Sequence, residues 1–242
     1  MKLDHYSYTN QGGRKHNEDA VGVRVYEDRA IFVVADGLGG HKKGEVASER
    51  VVGLVLEAFR DEEPSGRRED FLSSVLAAAN ADILKMQDEQ RCVMKSTAVV
   101  LAIDGNSAAW AHVGDSRLYY IHGSELAYIT HDHSVAYKKY AAGEITRFQI
   151  NTDEDQATLL RSLGSKDRHE AEICREPVTI GSGDAFMLCS DGVWEYLHDD
   201  EVLVDYLKAE DARDWAKKLL VRIMDRIDGS NDNLSIITVI AE

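Results

Sequence analysis

Apolar residues follow two rhythms along this chain. Short apolar runs bounded by turn residues read as strands: AVGVRVY (20–26), RAIFVVA (29–35), STAVVLAID (96–104), SAAWAHV (107–113), SRLYYIH (116–122) and ELAYIT (125–130). Successive pairs are joined by Glu27-Asp28, Gly105-Asn106 and Gly123-Ser124, links short enough for antiparallel hairpins. AEICREP (171–177), DAFMLCS (184–190) and LSIITVIA (234–241) extend the set. Elsewhere the apolar positions repeat at three and four residues, as on a helix face. Residues 44–59, 69–90 and 211–228 do so, the last through Trp215, Leu219, Leu220, Ile223 and Ile227. Helices with one apolar face cover sheets, so the pattern predicts an α+β fold of two packed antiparallel sheets with helices outside. Residues 131–169 are polar and poorly periodic beyond a short helix near 133–141; they read as a mobile excursion from the sheet.

Composition narrows this picture. A chain of 242 residues with no linker, low-complexity run or repeat reads as one domain. Its net charge of -15 makes nucleic acid and anionic membranes poor partners. No apolar run has the length of a membrane span, and MKLDHYSYTN lacks a signal-peptide apolar region. Cys92, Cys174 and Cys189 form no CxxC pair, and a reduced, cytoplasmic protein is expected.

Chemistry enters through one construction used three times. FVVADG (32–37), WAHVGDS (110–116) and FMLCSDG (186–192) each end an apolar strand in an aspartate flanked by small residues. Asp232-Asn233 and Glu18-Asp19 sit just before strands. A single Asp-Gly after a strand is commonly a turn, but packing two sheets brings strand ends together. Two carboxylates about 4 Å apart repel by about 4 kcal/mol at an effective dielectric near 20. Such a cluster takes up protons or binds cations. With oxygen donors and no clustered Cys or His, Mg²⁺ or Mn²⁺ is favoured over zinc, and a two-metal site acting on phosphate follows. Arg14, in RKHNED (14–19), is placed to grip a phosphate, its alternative being a surface ion pair. No P-loop, GxSxG or HExxH signature is present.

These motifs, in order, are RKHNED (14–19), DGLGG (36–40), GDSR (114–117), THDHS (130–134), SDGVW (190–194) and DN (232–233), with weaker AAGEIT (141–146) and LLRSLG (159–164). Through them essentially the whole chain resembles the metal-dependent PPM (type 2C) protein serine/threonine phosphatases. The resemblance implies a central antiparallel β-sandwich of two sheets flanked on both sides by α-helices, a four-layer αββα arrangement. It further implies a single catalytic domain over 1–242 with a flap near 138–165.

Carried over by position, Asp36 bridges two Mn²⁺ or Mg²⁺ ions, with the Gly37 carbonyl as a further ligand. Asp191 and Asp232 hold the first ion; Glu18 and Asp19 serve the second, directly or through water. Asp115 with Asp191 matches a third metal position, and Arg14 binds the substrate phosphate. A water held between the ions would attack phosphoserine or phosphothreonine directly. Leu38 stands where several members carry a histidine, which leaves a metal-bound water or His41 as the candidate acid. The expected partners are phosphorylated proteins, substrates of a serine/threonine kinase and the kinase itself, acted on by a monomer. The alternative is a catalytically inactive module that binds a phosphoprotein; it would have lost one or more of these acids.

Overall fold

The computed structural model describes residues 1–39, 43–61 and 67–242. Its first half runs β1 (Leu3–Asn10), β2 (Asp19–Val25), β3 (Arg29–Leu38), α1 (Lys43–Asp61), α2 (Arg68–Gln90), β4 (Lys95–Ser96), β5 (Ala98–Asp104) and β6 (Ser107–Val113). The second half runs β7 (Arg117–His122), β8 (Glu125–Ile129), α3 (Val135–Ala141), a 3-10 turn (Arg147–Thr152), β9 (Glu172–Ile173), β10 (Val178–Thr179) and β11 (Ala185–Cys189). It closes with α4 (Asp191–Trp194), α5 (Asp199–Leu207), α6 (Ala212–Met224) and β12 (Leu234–Ala241).

Two antiparallel sheets result, in the orders β1-β12-β11-β7-β8 and β10-β6-β5-β3-β2, with β4 on β3 and β9 on β6. Alternation along β3 explains the layers. Ala30, Phe32 and Val34 face Leu118, Phe186, Leu188, Ile237 and Val239 of the other sheet. Ile31, Val33 and Ala35 face the opposite way, under Val51, Val55, Leu72 and Leu76 of α1 and α2. A strand covered on both faces needs an unbroken apolar run, which is what IFVVA supplies. The outer face of the other sheet, with Met187, Cys189 and Ile236, packs on Val202 of α5 and on Trp215, Leu219 and Ile223 of α6. The order of layers is therefore helix, sheet, sheet, helix, as expected.

Three local readings change. The strand read as ending at Ala35 continues through Asp36 to Leu38, because β3 exchanges β5 for β4 there, pairing Gly37 with Ser96 and Leu38 with Lys95. β1 escapes the apolar pattern: it lies at a sheet edge, half-buried at best, yet all eight residues pair with β12. α5 escapes it too, having only Val202 and Asp205 fully buried in nine residues.

Candidate metal centre

Period-two alternation carries past Val34 to Asp36, which therefore faces the gap between the sheets. Asp19 lies directly opposite in the β2–β3 register. Thr97 fixes this end of β3: its hydroxyl accepts from the Asp36 N–H at 2.9 Å and its own N–H donates to the Asp36 carbonyl at 2.8 Å. The Gly37 N–H donates to the Glu18 carbonyl at 3.0 Å. Glycine is required here by contact, since a Cβ on Gly37 would stand 2.1 Å from the Gly44 carbonyl oxygen. Gly44, at the start of α1, is equally constrained: its Cβ would meet both the Gly37 carbonyl and the Glu18 carboxyl group.

The remaining acids come from the other strand ends. Asp191 opens α4 after β11, and Asp232 precedes β12. The two loops touch so closely that a Cβ on Gly192 would lie 2.1 Å from the Asn233 carbonyl oxygen. Asp115 follows β6; its carbonyl accepts from Trp194 Nε1 at 2.9 Å. Behind it the GDSR and THDHS motifs meet, Arg117 donating to both Asp132 oxygens at 2.8 and 2.7 Å while its guanidinium lies 3.4 Å from the Trp194 ring centroid. A buried ion pair holds only with such full hydrogen bonding. Asn233 ties down the loop carrying Arg14 and Glu18. Its Oδ1 accepts from the Glu18 N–H at 2.8 Å, and its Nδ2 donates to the Gln11 and His16 carbonyls at 2.8 and 2.9 Å.

A pocket of about 470 Å³ opens on this cluster, lined by Arg14, Glu18, Asp36, Gly37, Asp115, Asp191 and Asp232 together with Lys15, His16 and Leu38. Asp19 sits behind the wall, buried, its Oδ2 accepting from the Ser190 hydroxyl at 2.7 Å. Arg14 Nη2 donates to Asp232 Oδ2 at 2.6 Å. His41 lies outside the described residues.

So many carboxylates cannot all be ionised at ordinary cost. Burial pushes Asp36 well above the usual carboxylate range, and Asp191, Asp19, Asp115 and Asp232 push it further. Asp191 is raised in the same way, by burial first and then by Asp115 and Asp232. Burial lifts Asp19 to about 6 against the pull of the Ser235 and Ser190 hydroxyls. Burial and Asp132 lift Asp115 to about 7. The donor set is oxygen-rich and carries more negative charge than Arg14 balances, which suits hard divalent cations.

The pattern of strand ends misses one further acid. Glu195 stands one helical turn after Asp191, and its carboxyl is raised by burial and by Asp232; Asp191 and Asp115 both feel its charge. The i, i+4 spacing was its only signal, on a helix too short to show a period. A second cluster, His112, His133 and Glu172, brings its ligand atoms within 4.8 Å of one another. Its two rings stack at 4.6 Å and 9°. Imidazole lone pairs lie in the ring plane, so parallel rings do not aim at one ion. His133 Nδ1 is also taken by the Gly114 N–H at 3.1 Å.

Fold and site together define the class of metal-dependent phosphatases. The protein phosphatase 2C family model matches residues 9–222, and the chain belongs to that family. Protein phosphatase PhpP of Streptococcus pneumoniae is 33% identical over 193 residues, 78% of each chain. The crystal structure of the Mycobacterium tuberculosis serine/threonine phosphatase PstP/Ppp superposes with a TM-score of 0.86 at 27% identity, covering 99% of both chains. The catalytic domain of PstP in complex with 2 manganese ions superposes at 0.85 with 25% identity, again over 99% of each. The protein is a metal-dependent protein serine/threonine phosphatase with Mn²⁺ or Mg²⁺ as cofactor. The inactive-module alternative has no support: every acid position it would have lost is still an acid.

Proposed function

We propose that the pocket between the strand ends is the catalytic site, in which Asp36 bridges two divalent ions. Asp191 and Asp232 hold the first ion, and Glu18 and the Gly37 carbonyl the second, with Asp19 supporting it from behind. Asp115, with Asp191, serves a third position. When bound, the ions lower the pKa of a water and neutralise charge on the phosphoryl oxygens. Arg14, on the rim, turns from Asp232 to the phosphate and holds two of its equatorial oxygens so that phosphorus stays open to in-line attack, a role that suits a planar, permanently charged fork. Leu38 has no proton to give, which leaves a metal-bound water or His41 to protonate the leaving alkoxide.

The single observation that supports this reading most is the convergence of Glu18, Asp36, Asp115, Asp191 and Asp232 on one pocket; burial first, and then the neighbouring aspartates, push Asp36 upward, a cost that cations relieve. The substrates are phosphoproteins. Within that class we assign the targets of a serine/threonine kinase and the kinase itself, met by a monomer within a single-domain enzyme whose flap spans 138–165. The flap supplies Ala157 and Leu159 to the pocket wall.

The test is hydrolysis of p-nitrophenyl phosphate and a phosphothreonine peptide with Mn²⁺, Mg²⁺ or chelator. Wild type is expected to turn over both with metal only, and Asp36→Asn to lose nearly all turnover. Full activity in Asp36→Asn overturns the assignment of the bridge.

A further inference from the structure

One feature of the pocket rim is unused by the metal centre. Residues 14–16 read Arg-Lys-His, three exposed basic or partly basic side chains in succession, in a protein with 43 acids against 28 bases. All three line the pocket. Their backbone is held on both sides: the Gly13 N–H donates to the Asn231 carbonyl, the Arg14 N–H to the Gln11 carbonyl, and the His16 carbonyl accepts from Asn233. Lys15 is thus fixed at its Cα while its side chain stays free to reach.

The three side chains differ in commitment. Arg14 is engaged with Asp232. Among the described residues Lys15 forms neither an ion pair nor a side-chain hydrogen bond. The wall supplied by Leu38, Ala157 and Leu159 is uncharged, so a substrate carrying a second negative group finds no counter-charge there. The net charge of -15 disfavours such a group in general, though screening limits this to within about 8 Å at physiological salt.

We propose that Lys15 is a specificity residue, its ammonium receiving a second anionic group on the substrate, either an acidic side chain or a second phosphate, one or two residues from the phosphoresidue. This rests on the phosphatase reading of the same pocket. The spacing follows from geometry: Lys15 neighbours Arg14, the phosphate ligand, and an extended peptide advances about 3.3–3.6 Å per residue, within the reach of a lysine side chain. Being exposed, the contact adds a modest preference and a salt-dependent association rate rather than a large gain in affinity.

The experiment compares kcat/KM, with Mn²⁺, for phosphothreonine peptides that differ only in the residue beside the phosphothreonine: Asp, a second phosphothreonine, Ala or Lys. Wild type is expected to favour the two acidic peptides over the Ala peptide by about three- to fivefold, and the preference to shrink as salt is raised. Lys15→Ala should flatten the series, and Lys15→Glu should invert it in favour of the Lys peptide. An equal gain from Asp and from the second phosphate assigns acidic segments in general; a gain confined to the second phosphate assigns doubly phosphorylated segments. The same order of preference in wild type and Lys15→Glu overturns the proposal. Absence of turnover of every peptide by folded wild type overturns instead the phosphatase reading beneath it.

Discussion

Asp36 is an inward-facing position near the end of an apolar strand, given over to a carboxyl group. In the metal-free protein that substitution of chemistry has a cost that depends on pH. Asp36 and Asp191 are raised well above the usual range, Asp115 to about 7 and Asp19 to about 6. The folded state then holds protons that the unfolded chain, with Asp near 3.9, has released. Stability of chelated protein should therefore rise as pH falls from about 7 toward 5; nearer 4, Glu201, lowered to about 2 chiefly by its hydrogen bonds from Arg226, and Glu172, lowered first by its bond to His133, act in the opposite sense. His112, held down to about 4 by burial and by His133, acts in the opposite sense, since the unfolded chain takes its proton first; four acids outweigh one base. Thermal unfolding of chelated protein across this range checks it. The slope should weaken in Asp36→Asn and with saturating Mn²⁺; a slope of opposite sign would count against the cluster.

The same scale shows what could be read in advance. Asp36, Asp115, Asp191 and Asp232 were legible because each adjoins an apolar strand and a glycine or asparagine, a local pattern. Glu195 was not, because its place beside them depends on a helix of four residues with no periodicity. Lys15, though inside RKHNED, has no pattern of its own that marks it; only the loop's path onto the rim gives it a role.

Among elements, the site depends on how closely β12, α4 and the β1–β2 loop approach. Asn233 supplies three hydrogen bonds to that loop. Asn233→Ala would leave part-buried backbone groups unsatisfied, at a cost of about 2–3 kcal/mol, and would loosen Glu18. We expect a lower thermal midpoint together with weaker Mn²⁺ binding by calorimetry; loss of stability with unchanged binding would separate the loop from the metal centre. Gly192→Ala should cost more than an ordinary helix substitution gains, about 2–4 kcal/mol, because its Cβ would meet the Asn233 carbonyl at 2.1 Å. Denaturant unfolding reads this directly.

Central strands were legible from their hydrophobicity: SAAWAHV and LSIITVIA match β6 and β12 residue for residue. β1 was not, because an edge strand half-open to water needs no apolar run, and its eight-residue pairing with β12 is a long-range fact. The end of β3 was misread for a related reason. Asp-Gly is turn chemistry locally, and only the pairing with β4 keeps it extended.

At the scale of the molecule, two antiparallel sheets pack face to face, and the acids gather because the strand ends that carry them lie at the same end of the sandwich. The helices shield the outer faces and contribute Asp191 and Glu195 through α4 and its end. The net charge of -15 contrasts with the basic side chains at the rim, Arg14 and Lys15. No helix among the described residues is long and apolar enough to cross a membrane.

The central claim is that these acids hold divalent ions around Asp36. Anomalous diffraction from crystals grown with Mn²⁺ tests it most directly. The account predicts two peaks in the pocket about 3.5–4 Å apart, with the Asp36 carboxylate between them. Manganese bound elsewhere, with no peak at Asp36, would contradict it.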